Sequence, residues 1–281
     1  MPLMLGFLDD PNSPDGKAYI GGLQALIEAK PSSMVESFSM PVSGLTVWDY
    51  QYPDKAAAAQ LELIQHIKAG SIYMSRAIKG QPEIKVNAQT YRGFKLHSAS
   101  FTWDLDTMIS QGAGAAVQTD AQKEQMKHMM KNILGERMNY WFGSNGTSFV
   151  MLVGDNWEGA RKQLDTYLDG KKTIADEKAF QETRKQLPAN ATVIGLIDAP
   201  RYAELISGFM QTFLTLGANR PSNTSFSRAR EVKSCFLGMA VTLKSERASL
   251  ELWIPVAAVG EFRRMFEPLF KSVDELEKLS K

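Results

Sequence analysis

The sequence has little of what reactive or stapled proteins are built from. It holds one cysteine, Cys235, and three histidines, His66, His97 and His128. One cysteine excludes an intramolecular disulfide, and the apolar run Phe236-Leu237-Gly238-Met239 beside it suits a buried, inert thiol. The histidines show no His-x-x-x-His or Cys-x-x-Cys spacing, so the chain spells out no zinc site and no metal is expected. No apolar run approaches the ~18 residues of a membrane span. Neither sign of charge prevails: 32 Lys and Arg face 31 Asp and Glu, for a net charge of +1. That balance gives no electrostatic footprint for nucleic acid, and Arg220, Arg228 and Arg230 are too scattered to make a local one.

Signatures of catalysis are missing as well. There is no Gly-x-Ser-x-Gly elbow to expose a nucleophilic serine. Cys235 reads as mid-strand, away from the helix N-terminus that would stabilise a thiolate. Gln111-Gly112-Ala113-Gly114 lacks the third glycine and the Lys-Ser/Thr pair of a phosphate loop, and reads as a plain loop.

What is present is a chain of 281 residues with 44% apolar and 22% charged side chains. That length buries roughly 75% of the unfolded surface without staples. Strands are predicted in hairpin pairs over 33–40 and 44–51, 84–91 and 94–103, 137–143 and 147–153, and 233–243 and 247–254. The third pair closes on Asn145-Gly146, the strongest short hairpin signal. Residues 4–8 and 191–198 read as further strands. Helices with one apolar stripe are predicted over 54–69, 156–169, 200–216 and 256–270, with weaker candidates at 18–29, 122–134 and 176–186.

Strand gives way to proline at Tyr52-Pro53, Ala199-Pro200 and Ile254-Pro255, where the missing N–H costs a helix nothing. Hairpins joined to amphipathic helices predict an α+β fold, with antiparallel sheet and helices packed on one face. The segments Gly6-Phe7-Leu8-Asp9-Asp10-Pro11 and Gly195-Leu196-Ile197-Asp198-Ala199-Pro200 match at Gly, Asp and Pro. Each precedes helix, hairpin and proline-started helix. The chain therefore reads as internally duplicated: residues 1–69 are a partial first copy, and 70–281 a complete second copy, as two bodies or one continuous domain. On that reading about a hundred further residues lie upstream, behind a signal peptide.

Short motifs carry a resemblance. Tyr91-Arg92-Gly93-Phe94-Lys95-Leu96 is one. Another is Phe149 to Asp155, followed by Ala175-Asp176, Phe180 and Leu187-Pro188-Ala189-Asn190-Ala191. Together they resemble a bacterial domain of unknown function found in exported proteins, notably of planctomycetes. The resemblance spans about residues 84–270. It implies export and an α+β fold, and supplies no catalytic residues. The stretch Met1 to Leu8 lacks a basic n-region and runs into Asp9-Asp10, so either the chain is cytoplasmic or a targeting segment has been removed.

Four candidate sites remain. Asp10, Asn12 and Asp15 offer oxygen ligands to Ca²⁺ with Gly16 to make the turn, but the spacing is off by one and no Glu closes the loop; an ordinary Asp/Asn/Pro turn explains them. Asp104 and Asp106 flank Leu105 and are expected to cap the next element. Met126, Met129 and Met130 form a core stripe with Ile133. Tyr202, Phe209 and Phe213 share a helix face that could line a groove for a hydrophobic ligand. The expected function is a non-enzymatic binding or structural module without a cofactor, acting outside the cytoplasm on an unknown ligand, with a protein or a hydrophobic small molecule as the candidate partners. A carrier of a lipid-like molecule is the alternative, and a hydrolase whose residues meet only in three dimensions is a third.

Overall fold

Two hairpin turns set the central sheet. In the computed structural model Asn145 Oδ1 accepts from the N–H groups of Thr147 and Ser148 at 3.0 and 2.9 Å, closing one of them. The other places Arg92 and Gly93 at φ 47° and 87°, the left-handed pair that a two-residue hairpin needs. The structure describes residues 12–39, 42–70, 72–73, 76–112, 119–170, 174–204, 206–207, 233–260, 262–263 and 267. The chain divides into two compact units, residues 1–169 and 170–281.

The described part of the first unit starts with α1 (Pro14–Glu28), β1 (Pro31–Ser39), β2 (Ser43–Tyr50) and α2 (Pro53–Gln65). A small hairpin, β3 (Ile72–Tyr73) and β4 (Arg76–Ala77), leads to β5 (Glu83–Tyr91) and β6 (Phe94–Thr102). Then come α3 (Leu105–Gly112), α4 (Asp120–Leu134), β7 (Arg137–Ser144), β8 (Phe149–Gly154) and α5 (Trp157–Asp169). Six strands form one antiparallel sheet in the order β1-β2-β8-β7-β6-β5. The join of the two halves is β2 on β8, with Trp48 opposite Phe149 and Gly44 opposite Val153.

The expectation of antiparallel sheet with helices holds, but the helices cover both faces of its four central strands, β2, β8, β7 and β6. Ala56, Ala57 and Ile64 of α2 and Leu105 of α3 share one core with Tyr140, Phe142 and Phe149. Ala160 and Leu164 of α5 share the other with Leu45, Phe94, Trp141 and Leu152. The reason lies in β7 and β8. Both are buried on alternate and intervening positions, so neither face can be left to water. Gly143 has a further cause: a Cβ there would lie 1.9 Å from the Lys95 carbonyl oxygen.

The second unit carries a short 3₁₀ turn, α6 (Lys178–Gln186), β9 (Val193–Asp198), helical residues 199–204 and 206–207, β10 (Phe236–Lys244), β11 (Arg247–Trp253) and helical residues 256–260. Its sheet runs β11-β10-β9, all antiparallel.

The 69/70 division is not where the compact units part, because β2 and β8 pair in one sheet and tie residues 43–50 to 149–154. The proposed match of residues 4–69 with 193–270 hinges on strand 4–8, which lies outside the described residues. Within them another likeness is plain. β6, helix, β7, β8 and β9, helix, β10, β11 follow the same path with the same neighbours. Trp103 N–H reaches the carbonyl of Glu136 just before β7, as Ala199 N–H reaches that of Cys235 just before β10.

Candidate functional site

The acidic segment is a helix start. Ser13 caps α1 and its Oγ accepts from Gly16 N–H at 3.0 Å, with Pro14 in the first turn. Gly16, which a Ca²⁺ loop would need for its turn, is therefore helical. Asn12 is exposed in the turn ahead of α1, Asp15 sits in its first turn, and Asp10 lies outside the described residues. Among the described residues no three His, Cys, Asp or Glu side chains converge. His66 ends α2, His97 is on β6 and His128 on α4, three separate elements. Cys235 precedes β10 instead of lying inside it, and is half-buried.

The two aspartates divide. Asp104 caps α3: its Oδ1 accepts from Thr107 N–H at 3.0 Å and its Oδ2 from the Thr107 hydroxyl at 2.8 Å. Those two bonds hold its carboxyl below the ordinary range. Asp106 instead pairs with Lys127 of α4 at 2.6 Å. Met126 and Met129 are buried, as their stripe implied. Tyr202 is 44% exposed. Phe209 and Phe213, the rest of the expected ligand groove, lie outside the described residues.

The densest polar cluster among the described residues joins α5 to the β5–β6 turn. The Tyr91 hydroxyl donates to Asp165 at 2.7 Å and accepts from Arg161 at 3.2 Å. Arg92 reaches Asp169 at 2.6 Å and Asp165 at 3.2 Å. The Tyr91 hydroxyl, more than any other neighbour, holds the Asp165 carboxyl low. Asp165 thus accepts from both Tyr91 and Arg92, so the cluster is a joint and not a general base in waiting. Its spacing was legible: Glu158, Arg161, Asp165 and Asp169 lie on one helix face.

The feature that sequence reasoning missed is a sheet face in the second unit. One side of β10 is covered. A Cβ at Gly238 would come within 2.8 Å of Thr183 on α6, and Thr183 Oγ1 donates to the Phe236 carbonyl at 3.1 Å. The opposite side carries Leu237, Met239, Val241 and Leu243 of β10. The register sets Val193, Gly195 and Ile197 of β9 on one flank and Ala248, Leu250 and Leu252 of β11 on the other. Every one of these positions is apolar or glycine. Val193, Ile197, Met239, Leu243, Leu250 and Leu252 are between 40 and 65% exposed. The signal was in the sequence: Phe236-Leu237-Gly238-Met239-Ala240-Val241 is apolar at both parities, so β10 asks for cover on both faces.

Compared with models of protein families, with curated proteins and with solved structures, the chain gave no match. Among the described residues no helix is long and apolar enough to cross a membrane.

Proposed function

We propose that this chain is a non-enzymatic interaction module that engages a protein partner through the open face of the β9–β11 sheet. The observation that carries this is the contrast between the two sheets. The four central strands of the six-stranded sheet, β2, β8, β7 and β6, bury both faces under helices, whereas the three-stranded sheet leaves an all-apolar face in water. Its six exposed side chains present on the order of 500 Å² of apolar surface, the upper end of what a monomer carries. Such a surface depletes charge at its centre as interface cores do. The resemblance of its short motifs to exported bacterial domains supports a place outside the cytoplasm. It also agrees with a module to which no catalytic residue is assigned.

The test is a comparison of the full chain with a Leu250→Lys/Leu252→Lys double variant. An apolar dye such as bis-ANS should bind the wild type and lose most of its fluorescence on the variant, with the circular dichroism of both unchanged. A wild type that leaves the dye dark and sediments as a single monomer defeats the reading. The carrier alternative is separated by native mass spectrometry: a lipid-like molecule retained on the purified chain and displaced by the dye would favour it.

A further inference from the structure

The free edge of β11 identifies the partner more closely. A sheet edge presents unpaired N–H and C=O groups, and proteins blunt such edges with bulges, prolines or short strands. Among the described residues, the two larger sheets have four outer strands, of which three are blunted or carry polar side chains along both faces. β5 carries a register break between Lys85 and Gln89. β1 breaks register at Pro31 and then runs unbroken over Ser33–Ser39, but Glu36 and the serines interrupt the apolar side chains on both of its faces. β9 is six residues long with Gly195 in its middle. β11 pairs with β10 through seven consecutive residues without a break, contains neither proline nor glycine, and is exposed throughout.

Which groups of β11 are free follows from its neighbours. The Val241 carbonyl accepts from Thr192 N–H at 2.8 Å, and Leu243 N–H donates to Thr192 Oγ1 at 3.0 Å, so both point away from β11. Backbone groups alternate sides along a strand. Ala240, Thr242 and Lys244 therefore bond to Glu251, Ser249 and Arg247, their partners in register. That leaves Ala248, Leu250 and Leu252 with N–H and C=O turned outward.

We propose that two copies of this chain associate by antiparallel pairing of β11 with β11 about a two-fold axis at Leu250. This rests on the interaction-module reading and deepens it. Pairing about Leu250 sets Leu250 against its own copy and Ala248 against Leu252, which satisfies every outward N–H and C=O of the strand. On the other face it sets Ser249 against Glu251 and Arg247 against Trp253, with no like charges opposed. The first unit already uses this join. β2 and β8 are each the second strand of a hairpin followed by a helix, and they pair antiparallel inside the six-stranded sheet. The dimer doubles the open apolar face to on the order of 1,000 Å², above the ~800 Å² per side of a standard interface, and so builds the surface that a further protein would meet.

The experiment is sedimentation or light scattering of the full chain at tens of micromolar, beside two variants. Wild type should show twice the 31.2 kDa chain mass. Leu250→Pro removes an outward N–H and no bond to β10; it should be monomeric with its circular dichroism retained. Leu250→Cys in a Cys235→Ser background should cross-link into a disulfide dimer on mild oxidation, while Val86→Cys in the same background should not. A monomeric wild type, or a dimer that persists in Leu250→Pro, overturns the proposal. Should Leu250→Pro fail to fold, the absence of the Leu250→Cys cross-link overturns it instead. Dye binding by a monomeric wild type would sink the pairing alone and leave the interaction module standing. A dark, monomeric chain would sink both.

Discussion

The backbone N–H of Asn87 donates to Nδ1 of His97 at 3.1 Å, from a residue held at φ 51°. The bond anchors the break in β5 to the strand beside it. It requires Nδ1 to be unprotonated, and burial pushes the His97 imidazole below its ordinary value. Above about pH 6.5 the imidazole is neutral in both folded and unfolded chain, and the stabilisation is complete. As pH falls through that value the unfolded chain takes up the proton first, so stability declines toward the folded-state value. One group contributes at most about 1.4 kcal/mol per pH unit to this slope. Urea unfolding at pH 8 and pH 5.5 should show wild type losing more stability on acidification than His97→Asn. Equal losses would remove His97 from the account.

Gly143→Ala should be among the costliest single-methyl changes in the chain. The added Cβ meets the Lys95 carbonyl oxygen at 1.9 Å, a backbone atom that cannot swing aside. Relief requires β6 and β7 to part, at about 3 kcal/mol or more. Chemical denaturation reads this directly. A loss under about 1 kcal/mol would mean that the two strands separate more easily than their packing indicates.

Asp104→Ala should cost about 1 kcal/mol by uncapping α3, and Asp104→Asn only a fraction of that, because an amide oxygen still accepts from Thr107 N–H. The carboxyl titrates low in the folded chain, so its contribution is present above about pH 4 and fades as pH drops through the folded-state value. The Ala variant should therefore differ from wild type at neutral pH and converge with it in acid. Thermal unfolding at the two pH values decides.

EDTA should leave the melting temperature unchanged. Ser13, Pro14 and Gly16 spend the acidic segment on starting a helix, which accounts for its composition without an ion. A drop of many degrees in a thermal scan would point first to Asp10, Asn12 and Asp15.

Local chemistry made much of the fold readable. Asn145-Gly146 fixed one hairpin, Pro53 marked the start of α2, and the 3.6-residue stripes placed α2 and α5 within a few residues. Two things stayed hidden for one reason: they depend on contacts distant in sequence. The pairing of Trp48 with Phe149 has no local cue, so the merging of two hairpins into one sheet, and the unit boundary after Asp169, could not be read. α3 was missed because Gly112 and the alanines after it dilute its periodicity, although Asp104 signalled its cap. The open face of β9–β11 escaped because apolar alternation tells which side a strand turns inward, not whether anything arrives to cover it.

The join of β2 to β8 also sets a clock on synthesis. Phe149 leaves the ribosome on the order of a hundred residues after Trp48, roughly 5–20 s later at ordinary elongation rates. Through that interval the β1–β2 hairpin exists with one strand edge unclaimed and with Leu45 and Val47 still waiting for α5, the last element of the unit to emerge. A nascent chain stalled before Phe149 is thus a half-sheet with a sticky rim. It is the stage at which a chaperone would hold this protein and at which crowding of polysomes would do it most harm.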